Sequence, residues 1–600
     1  MEIHDQQYLE QKLKEVFGYD GFRSGQLEVI QHLLEGGDVL SVMPTGAGKS
    51  LCFQLPASLG DFKTIVVSPI IALMKDQVAA LQGLGVGCET IHSGKSRDDN
   101  VISWQNFTNG HAKILYISPE RLMQDRMIQS LKSRNVGMFV IDEAHCISKW
   151  GASFRPDYEA LENLKAHFPK AVIAAFTATA DQSTRIDINK KLTDGKGRIF
   201  LKGFDRPNLS LEVRPKQNLK AGLVDYLQQH AGQCGIVYCL SRRETDEIAE
   251  SLKAQGINSM AYHAGKSSEV RDHAQNQFMT QSDAVMVATI AFGMGIDKPD
   301  IRFVVHASLP GNVESFYQEI GRAGRDGLPS QTVLFYSLSD VIKRQRMIFD
   351  GEGNDDFKLL EYKRLEALVG YCDTVKCRKQ VLLSYFDEES QPCGNCDNCF
   401  NPPTLIDITA HSITLLKAIG ETGQFFGTSH IIDVVKGAET AKIKERGHHQ
   451  LACFGGGRAL SKPFLQSLVR QLVAGGVGKV NLEKYGAIEL TRKAEDLIEG
   501  REVFLGHVEV EKPPASIRSK PVKGEELEGL DLSLYQDLKA VRLALASKKN
   551  VPAFVVFSDA TLQQLAIHKP TTKADFLQIN GIGQQKLTEY FEPFVQVINK

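Results

Sequence analysis

The sequence predicts an α/β protein with two tandem parallel-sheet domains, followed by smaller units that are mainly helical. Short apolar runs alternate with helical segments, which is typical of a parallel sheet covered on both faces. The runs of the first series are 64–68, 113–117, 138–141 and 171–176. The alternation starts again near Arg206, with runs at 236–239, 259–262, 284–288, 301–306 and 331–336. These two series predict two domains of the same class.

Length and composition limit the number of domains, the kinds of partner and the location that we expect. A chain of 600 residues exceeds what one core organises, so we expect three to five domains. The formal net charge of -2 gives no global signal for a polyanionic partner, so any nucleic-acid contact has to come from local patches. No apolar run approaches the ~18 residues of a membrane span, and the start MEIHDQQYLE does not resemble a signal peptide. We therefore expect a cytoplasmic protein without a membrane partner.

The stretch MPTGAGKS, 43–50, lies between an apolar strand and a helical segment. A glycine-rich turn in this position directs backbone N–H groups at one point, where a phosphate binds. Lys49 would contact the β- and γ-phosphates of a nucleoside triphosphate, and the Ser50 hydroxyl would bind Mg²⁺. Met43 departs from the glycine of the strict pattern, and the alternative is a tight turn with an exposed lysine. The predicted nucleotide-binding residues of the turn are Thr45, Gly46 and Gly48.

The stretch MFVIDEAH, 138–145, ends an apolar strand in two acids. In enzymes with such a phosphate loop, the first acid holds Mg²⁺ through water and the second orients or deprotonates the attacking water. Asp142 and Glu143 fit these roles. An acidic strand end is also common as helix capping, but its combination with the phosphate loop favours hydrolysis.

The stretch FGYDGFRSGQ, 17–26, precedes the phosphate loop. The Gln26 amide offers a donor and an acceptor that match the N6 and N7 edge of adenine. Tyr19 and Arg23 are candidates to stack on the same ring. Without further context the stretch indicates only the start of a helix.

Several motifs occur in the order that is typical of superfamily 2 helicases, and the chain most resembles the RecQ family. The motifs are FGYDGFRSGQ, PTGAGKS, SPIIALMKDQ, SPERL, DEAH, FTATA, FGMGIDKPDI and QEIGRAGRDG. The resemblance covers nearly the whole chain and implies two RecA-like domains that bind ATP between them. It also implies that Gln26 reads adenine, and that nucleotide state is coupled to the DNA strand through the regions of Thr177, Thr179, Thr289, Gly293 and Asp297.

Arg322 and Arg325 lie three positions apart in GRAGRDG, on one face if the segment is helical. Both are candidate catalytic residues from the second domain. Arg325 is the preferred arginine finger, which would stabilise charge that develops on the γ-phosphate. The alternative is a surface salt bridge.

The segment CISKWGASFRPDYEAL, 146–161, interleaves aromatic and basic residues, as a base-stacking, phosphate-binding loop does. Trp150, Phe154 and Arg155 are the predicted DNA-binding residues, with Tyr158 in the same pattern. The segment resembles the aromatic-rich loop of RecQ helicases, although Ala152 stands where the family commonly has histidine. A packed surface loop is the alternative.

Four cysteines predict a metal site: Cys377, Cys393, Cys396 and Cys399. Four thiolates at this spacing suit tetrahedral Zn²⁺, and the RecQ resemblance implies the same site. An iron–sulfur cluster would require a fourth cysteine at the position of Pro403. Because protein ligands fill all positions, we expect a structural site, with Cys372 as a spare.

The predicted divisions follow from these patterns. Residues 1–205 form the ATP-binding RecA-like domain and 206–340 the second RecA-like domain. A zinc-binding helical platform at 341–403 and a winged-helix domain at 404–510 come next, the latter with a hairpin that turns near Tyr485. Residues 511–529 read as a linker because they carry prolines and mixed charges. Residues 530–600 resemble the helicase and RNase D C-terminal (HRDC) domain, a small helical bundle.

The predicted function is that of an ATP-dependent DNA helicase that moves 3′ to 5′ on single-stranded DNA and unwinds duplexes in recombination and repair. Direction and pathway rest on the resemblance. The predicted cofactors are ATP, Mg²⁺ and Zn²⁺, and the predicted partners are single-stranded and duplex DNA, single-stranded-DNA-binding protein and other recombination proteins. We expect a monomer, nucleoid-associated if bacterial. The alternatives are an RNA-remodelling ATPase of the same superfamily and a DNA-binding or strand-annealing scaffold regulated by ATP.

Overall fold

The computed structural model describes most of the chain. The residues described are 5–44, 46–148, 155–180, 182–293, 296, 298–351, 354–481, 487–507, 531–549 and 551–599. Several predictions lie outside these ranges: those on Thr45, Trp150, Ala152, Phe154, Asp297, Tyr485 and the linker 511–529.

The first lobe is built on a parallel sheet with the strand order β3-β4-β2-β5-β6-β1-β7. Its strands are β1 (Val39–Val42), β2 (Lys63–Val67), β3 (Cys88–Ile91), β4 (Ile114–Ile117), β5 (Val136–Ile141), β6 (Val172–Thr177) and β7 (Arg198–Leu201). The central strands are apolar on both faces because helices cover both sides of the sheet. The predicted parallel sheet is confirmed.

Helices of the first lobe connect and cover these strands. They are α1 (Gln6–Phe17), α2 (Gln26–Leu34), α3 (Lys49–Leu59), α4 (Ile71–Gly83), α5 (Arg97–Thr108), α6 (Pro119–Leu122), α7 (Asp125–Lys132), α8 (Pro156–Glu159), α9 (Leu164–His167) and α10 (Gln182–Thr193). Strands β5, β6 and β1 are neighbours, so their carboxyl ends meet at one edge of the sheet, where ligands bind in folds of this class.

The second lobe is a parallel sheet with the order β10-β11-β9-β12-β13-β8. Its strands are β8 (Leu209–Pro215), β9 (Gly235–Tyr238), β10 (Ser259–Tyr262), β11 (Val285–Ala288), β12 (Phe303–His306) and β13 (Ser330–Tyr336). Its helices are α11 (Leu219–Gln229), α12 (Arg242–Ala254), α13 (Ser268–Thr280) and α14 (Val313–Ile320). The predicted repetition of the α/β pattern is confirmed.

Three smaller units follow. The platform contains α15 (Leu338–Asp350), α16 (Asp355–Asp373), α17 (Arg378–Ser384) and α18 (Asp397–Phe400). The winged-helix unit contains β14 (Leu405–Asp407), α19 (Thr409–Glu421), α20 (Thr428–Lys436), α21 (Ala441–Glu445), α22 (Lys462–Ala474), β15 (Gly478–Asn481), β16 (Ala487–Leu490), α23 (Arg492–Ile498) and β17 (Leu505–His507). Strands β15 and β16 pair antiparallel as the predicted wing. The C-terminal bundle contains α24 (Leu532–Lys549), α25 (Ala553–Val556), α26 (Asp559–His568), α27 (Lys573–Gln578) and α28 (Gln584–Ile598).

The platform packs on the connection between the two lobes. The ring of Phe204, in that connection, stacks on Phe386 of the platform with ring centroids 4.4 Å apart. The hydroxyl of Tyr317 in lobe 2 donates to the Phe204 carbonyl at 2.7 Å. Arg185 of lobe 1 forms a 3.0 Å ion pair with Asp387 of the platform. The platform therefore helps to fix where the two lobes join.

Candidate nucleotide and metal sites

The phosphate loop follows β1 and leads into α3, as predicted. Gly46 and Gly48 have φ values of 85° and 84°, a left-handed conformation that glycine adopts without strain. A Cβ atom at Gly48 would lie 2.4 Å from the Gln26 side-chain nitrogen, so a larger residue would displace the Gln26 amide. The Met43 side chain is 1% exposed and packs in the core beneath the loop. The departure from glycine at Met43 therefore leaves the turn intact.

Lys49 begins α3 and lines the cleft between the lobes. Its amine donates hydrogen bonds to the carbonyls of Met43 at 3.1 Å and Pro44 at 3.5 Å. The amine thus lies within the turn that would hold a phosphate. Ser50 lines the same cleft. A hydroxyl and a nearby carboxylate are oxygen ligands of the kind that Mg²⁺ prefers.

The two acids follow β5. The Asp142 carboxylate accepts a hydrogen bond from the Glu143 backbone N–H at 3.0 Å, and Glu143 is in the left-handed region with φ of 49°. The Glu143 carboxylate lies 3.4 Å from Nδ1 of His145, which is also 2.9 Å from the Thr177 hydroxyl. Burial lowers the pKa of His145 below its ordinary value, so this histidine is neutral at pH 7. A neutral histidine leaves the negative charge of Glu143 available in the cleft.

One prediction for the neighbouring segment is wrong. Tyr158 is fully buried, and its hydroxyl donates to the Asp142 carbonyl at 3.0 Å. Its ring therefore supports the acidic strand end instead of stacking on DNA bases. The Arg155 guanidinium donates to the carbonyl of Pro69, in the SPIIALMKDQ motif, at 3.2 Å.

A cleft of about 340 Å³ joins these groups with groups of lobe 2. Lobe 1 contributes Lys49, Asp142 and Glu143, and lobe 2 contributes Arg322 and Arg325. Helix α14 ends at Ile320, so the arginine motif consists of turns and not of a helix. A Cβ atom at Gly46 would lie 3.6 Å from Cγ of Arg325, which places this arginine beside the phosphate loop.

Arg206, in the connection between the lobes, also belongs to this site. Its guanidinium donates to the carbonyls of Gly321 at 3.3 Å, Ala323 at 3.0 Å and Gly324 at 2.8 Å, all within the arginine motif. A Cβ atom at Gly46 would lie 3.2 Å from its Nη1 atom. Burial lowers the pKa of Arg206 to about 10, so it remains charged at neutral pH. Sequence reasoning missed this residue, because a lone arginine in a connection carries no motif spacing.

A hydrogen bond joins the lobes across the cleft. The Gln318 amide of α14 donates to the Thr179 hydroxyl of the FTATA motif at 2.8 Å. Both Thr177 and Thr179 are buried. Sequence reasoning named the two threonines but gave no role to Gln318, although it is the first residue of the QEIGRAGRDG motif.

The predicted adenine-binding residues divide into two groups. Tyr19 lines the cleft and is 44% exposed. The Gln26 side chain is 2% exposed, and its amide donates to the carbonyls of Ala47 and Gly48 at 3.1 Å each. The Arg23 guanidinium donates to the Gly46 carbonyl. Gln26 and Arg23 therefore tie this motif to the phosphate loop in the structure.

The four predicted zinc ligands converge. The sulfur atoms of Cys377, Cys393, Cys396 and Cys399 all lie within 4.8 Å of one another. The Cys393–Cys399 and Cys377–Cys396 sulfur separations are 4.0 and 3.9 Å. Four sulfurs at about 2.3 Å from a tetrahedral zinc ion lie about 3.8 Å apart, so the cluster fits zinc.

Domain comparisons agree with this architecture, which is that of a superfamily 2 helicase. Residues 23–187 match the DEAD/DEAH box helicase family, and residues 218–327 match the helicase conserved C-terminal domain. Residues 338–400 match the RecQ zinc-binding domain, 402–515 the RQC domain and 531–598 the HRDC domain.

Similar proteins cover nearly the whole chain. The ATP-dependent DNA helicase RecQ of Haemophilus influenzae is 41% identical over 98% of this chain and 95% of that protein. The Bacillus subtilis protein of the same name is 36% identical over 98% of this chain and 97% of that protein. The RecQ-like DNA helicase BLM of Xenopus laevis is 34% identical over 97% of this chain and 46% of that protein. This chain belongs to the RecQ family.

Proposed function

We propose that this RecQ-family ATP-dependent DNA helicase translocates 3′ to 5′ on single-stranded DNA and unwinds duplex DNA in recombination and repair. The observation that supports it most directly is the cleft that brings groups of both lobes together. Lys49, Asp142 and Glu143 come from one lobe, and Arg322 and Arg325 come from the other. A site divided in this way is complete only when the lobes approach each other, which links hydrolysis to movement.

The chain supplies each function that ATP hydrolysis requires. Lys49 and the loop backbone would bind the phosphates, and Ser50 and Asp142 would hold Mg²⁺, which neutralises phosphate charge. ATP supplies the chemical energy when it is bound. Glu143 orients the attacking water and accepts its proton, and Arg325 stabilises the charge that develops on the γ-phosphate. Tyr19, at the cleft, is the candidate for contact with the base.

DNA contact follows the acidic strand end directly. Trp150, Phe154 and Arg155 come a few residues after Asp142 and Glu143 in the chain. A strand that stacks on the aromatic residues can therefore act on the catalytic acids through a short segment. The Gln318–Thr179 hydrogen bond offers a second connection, because it joins the arginine-bearing lobe to the FTATA motif.

Steady-state ATP turnover tests this function. We expect strong stimulation by single-stranded DNA and little by single-stranded RNA of matching length. Lys49→Ala removes the phosphate-binding charge and abolishes turnover, whereas DNA binding persists. Lys12→Ala, which changes a partly exposed lysine paired with Glu15 on α1, is the matched control and leaves turnover unchanged.

Each alternative function has its own result. Equal stimulation by RNA would favour the RNA-remodelling ATPase. Tight DNA binding without any stimulation of turnover would favour the regulated scaffold. Normal turnover by Lys49→Ala would contradict the assignment of the phosphate loop.

We propose an oligomeric state, partners and a cellular location that fit this function. The protein acts as a monomer on single-stranded and duplex DNA, alongside single-stranded-DNA-binding protein and other recombination proteins. Its place of action is the cytoplasm, at the nucleoid in a bacterium. Among the helices that the structure describes, none is both long enough and apolar enough to cross a membrane.

A further inference from the structure

The C-terminal bundle contributes side chains to the nucleotide cleft. Phe554 of α25 and Ser558, the residue that caps α26, line the cleft together with Lys49 and Arg325. Phe554 is half-buried and packs against the core of the lobes. It therefore lies where the bundle contacts the lobes. Neither lobe supplies these two groups, which come from a separate unit of the chain.

A close backbone joint fixes the bundle to lobe 1. The Gly581 N–H donates to the Gly18 carbonyl at 2.9 Å. A Cβ atom at Gly18 would lie 2.6 Å from the Gly583 nitrogen, and one at Gly583 would lie 3.3 Å from the Val16 carbonyl oxygen. The turn at Gly18 therefore has no room for a side chain, and a side chain at Gly583 would press on Val16. Gly18 precedes Tyr19, a residue of the cleft, so the joint lies beside the nucleotide site.

Charged groups of the bundle and of lobe 2 lie close to each other. Arg542 and Asp559 of the bundle form a 2.7 Å ion pair, and both are buried. Burial raises the pKa of Asp559, but nearby arginine and lysine charges lower it more, so the pKa is below its ordinary value. Arg302 of lobe 2 is one of these charges. Arg302 in turn holds the buried Asp326 at 2.6 Å, directly after the catalytic arginines in sequence. The bundle thus touches one lobe and faces charges of the other.

We propose that the docked bundle is a third wall of the ATP site, and that it retains the nucleotide and slows its exchange. Phe554 provides apolar surface against the bound nucleotide, and Ser558 provides a hydroxyl. The bundle keeps this position only while the joint at Gly18 is intact. The inference rests on the proposed function in taking the cleft as an ATP site, and Phe554 and Ser558 act there as positioning residues.

Two variants of the full-length protein test the wall. Phe554→Ala removes the apolar surface and leaves the joint unchanged. Gly583→Asp acts on the joint: its φ of -95° suits any residue, and aspartate is a favourable cap for α28. The new Cβ atom would lie 3.3 Å from the Val16 carbonyl oxygen and 3.4 Å from the Glu15 carbonyl oxygen, so the substitution crowds the joint and adds a negative charge beside two carbonyl oxygens. Gln585→Asp, at an exposed position of the same first turn, is the matched control.

The measurements are the release rate of a fluorescent ADP analogue and the KM for ATP in DNA-stimulated turnover. We expect Phe554→Ala and Gly583→Asp to increase both about 3- to 10-fold, the size of one lost aromatic contact. We expect Gln585→Asp to match the unmodified chain. Unchanged release in Phe554→Ala, or slower release in Gly583→Asp, would overturn the proposal. Failure of the proposed function gives a different result, because the unmodified chain would then bind the ADP analogue but show no DNA-stimulated turnover.

Discussion

Arg206→Lys tests whether the arginine motif of lobe 2 is held in place by the connection between the lobes. Arg206 donates to three carbonyls of that motif, and a lysine amine on a flexible stem cannot reach all three in the same geometry. If two of these hydrogen bonds are lost at about 1 to 1.5 kcal/mol each, the ordered conformation of the arginine motif is destabilised by about 2 to 3 kcal/mol. If this whole loss is added to the activation free energy of ATP hydrolysis, kcat decreases about 30- to 150-fold.

The assay is DNA-stimulated ATP turnover with saturating DNA, together with the thermal unfolding midpoint. Arg243→Lys is the matched control, because the Arg243 side chain is 89% exposed and pairs with Glu247 of its own helix. We expect this control to retain full turnover. A fully active Arg206→Lys variant would refute the reasoning that these bonds position the catalytic arginines.

Three further predictions concern other parts of the chain. Cys396→Ser lowers the zinc content and the unfolding temperature of the protein. The control Cys453→Ser, which alters a buried thiol outside the cluster, keeps the zinc. Equal zinc content in the two variants would contradict the proposed zinc site. Gln318→Ala loses the bond between the lobes and lowers DNA-stimulated turnover about 2- to 10-fold, whereas the exposed Gln228→Ala does not. Burial lowers the pKa of His430 from 6.5 to about 4, so between these pH values the unfolded chain binds a proton that the folded chain does not. The free energy of unfolding therefore decreases as pH falls from about 6.5 to 4. We expect His430→Gln to flatten this dependence in acid unfolding experiments.

Much of the fold was predictable because its central strands are apolar on both faces. The run at 138–141 and the run at 236–239 correspond closely to β5 and β9. Strands β3, β7 and β8 were missed. Each lies at an edge of its sheet, and β7 is largely exposed, so its sequence lacks the continuous apolar run of a central strand.

The candidate site was predictable only where a residue belongs to a motif. Lys49 and Arg325 carry such spacing, and the structure brings them to one cleft. Arg206 belongs to no motif, and Gln318, although it begins QEIGRAGRDG, acts through a tertiary contact with Thr179 that the motif does not encode. The contribution of Phe554 also depends on how the bundle docks, since its own segment reads as an ordinary apolar helix.

Strand displacement on duplexes with a single-stranded tail tests the central claim most directly. The chain is supplied with ATP and Mg²⁺ and with duplexes that carry either a 3′ or a 5′ tail. We predict that it separates the 3′-tailed duplex and leaves the 5′-tailed duplex paired, and that Lys49→Ala separates neither. Separation of only the 5′-tailed duplex would contradict the direction. Failure on both, despite ATP turnover stimulated by DNA, would contradict the claim that hydrolysis in this cleft drives unwinding.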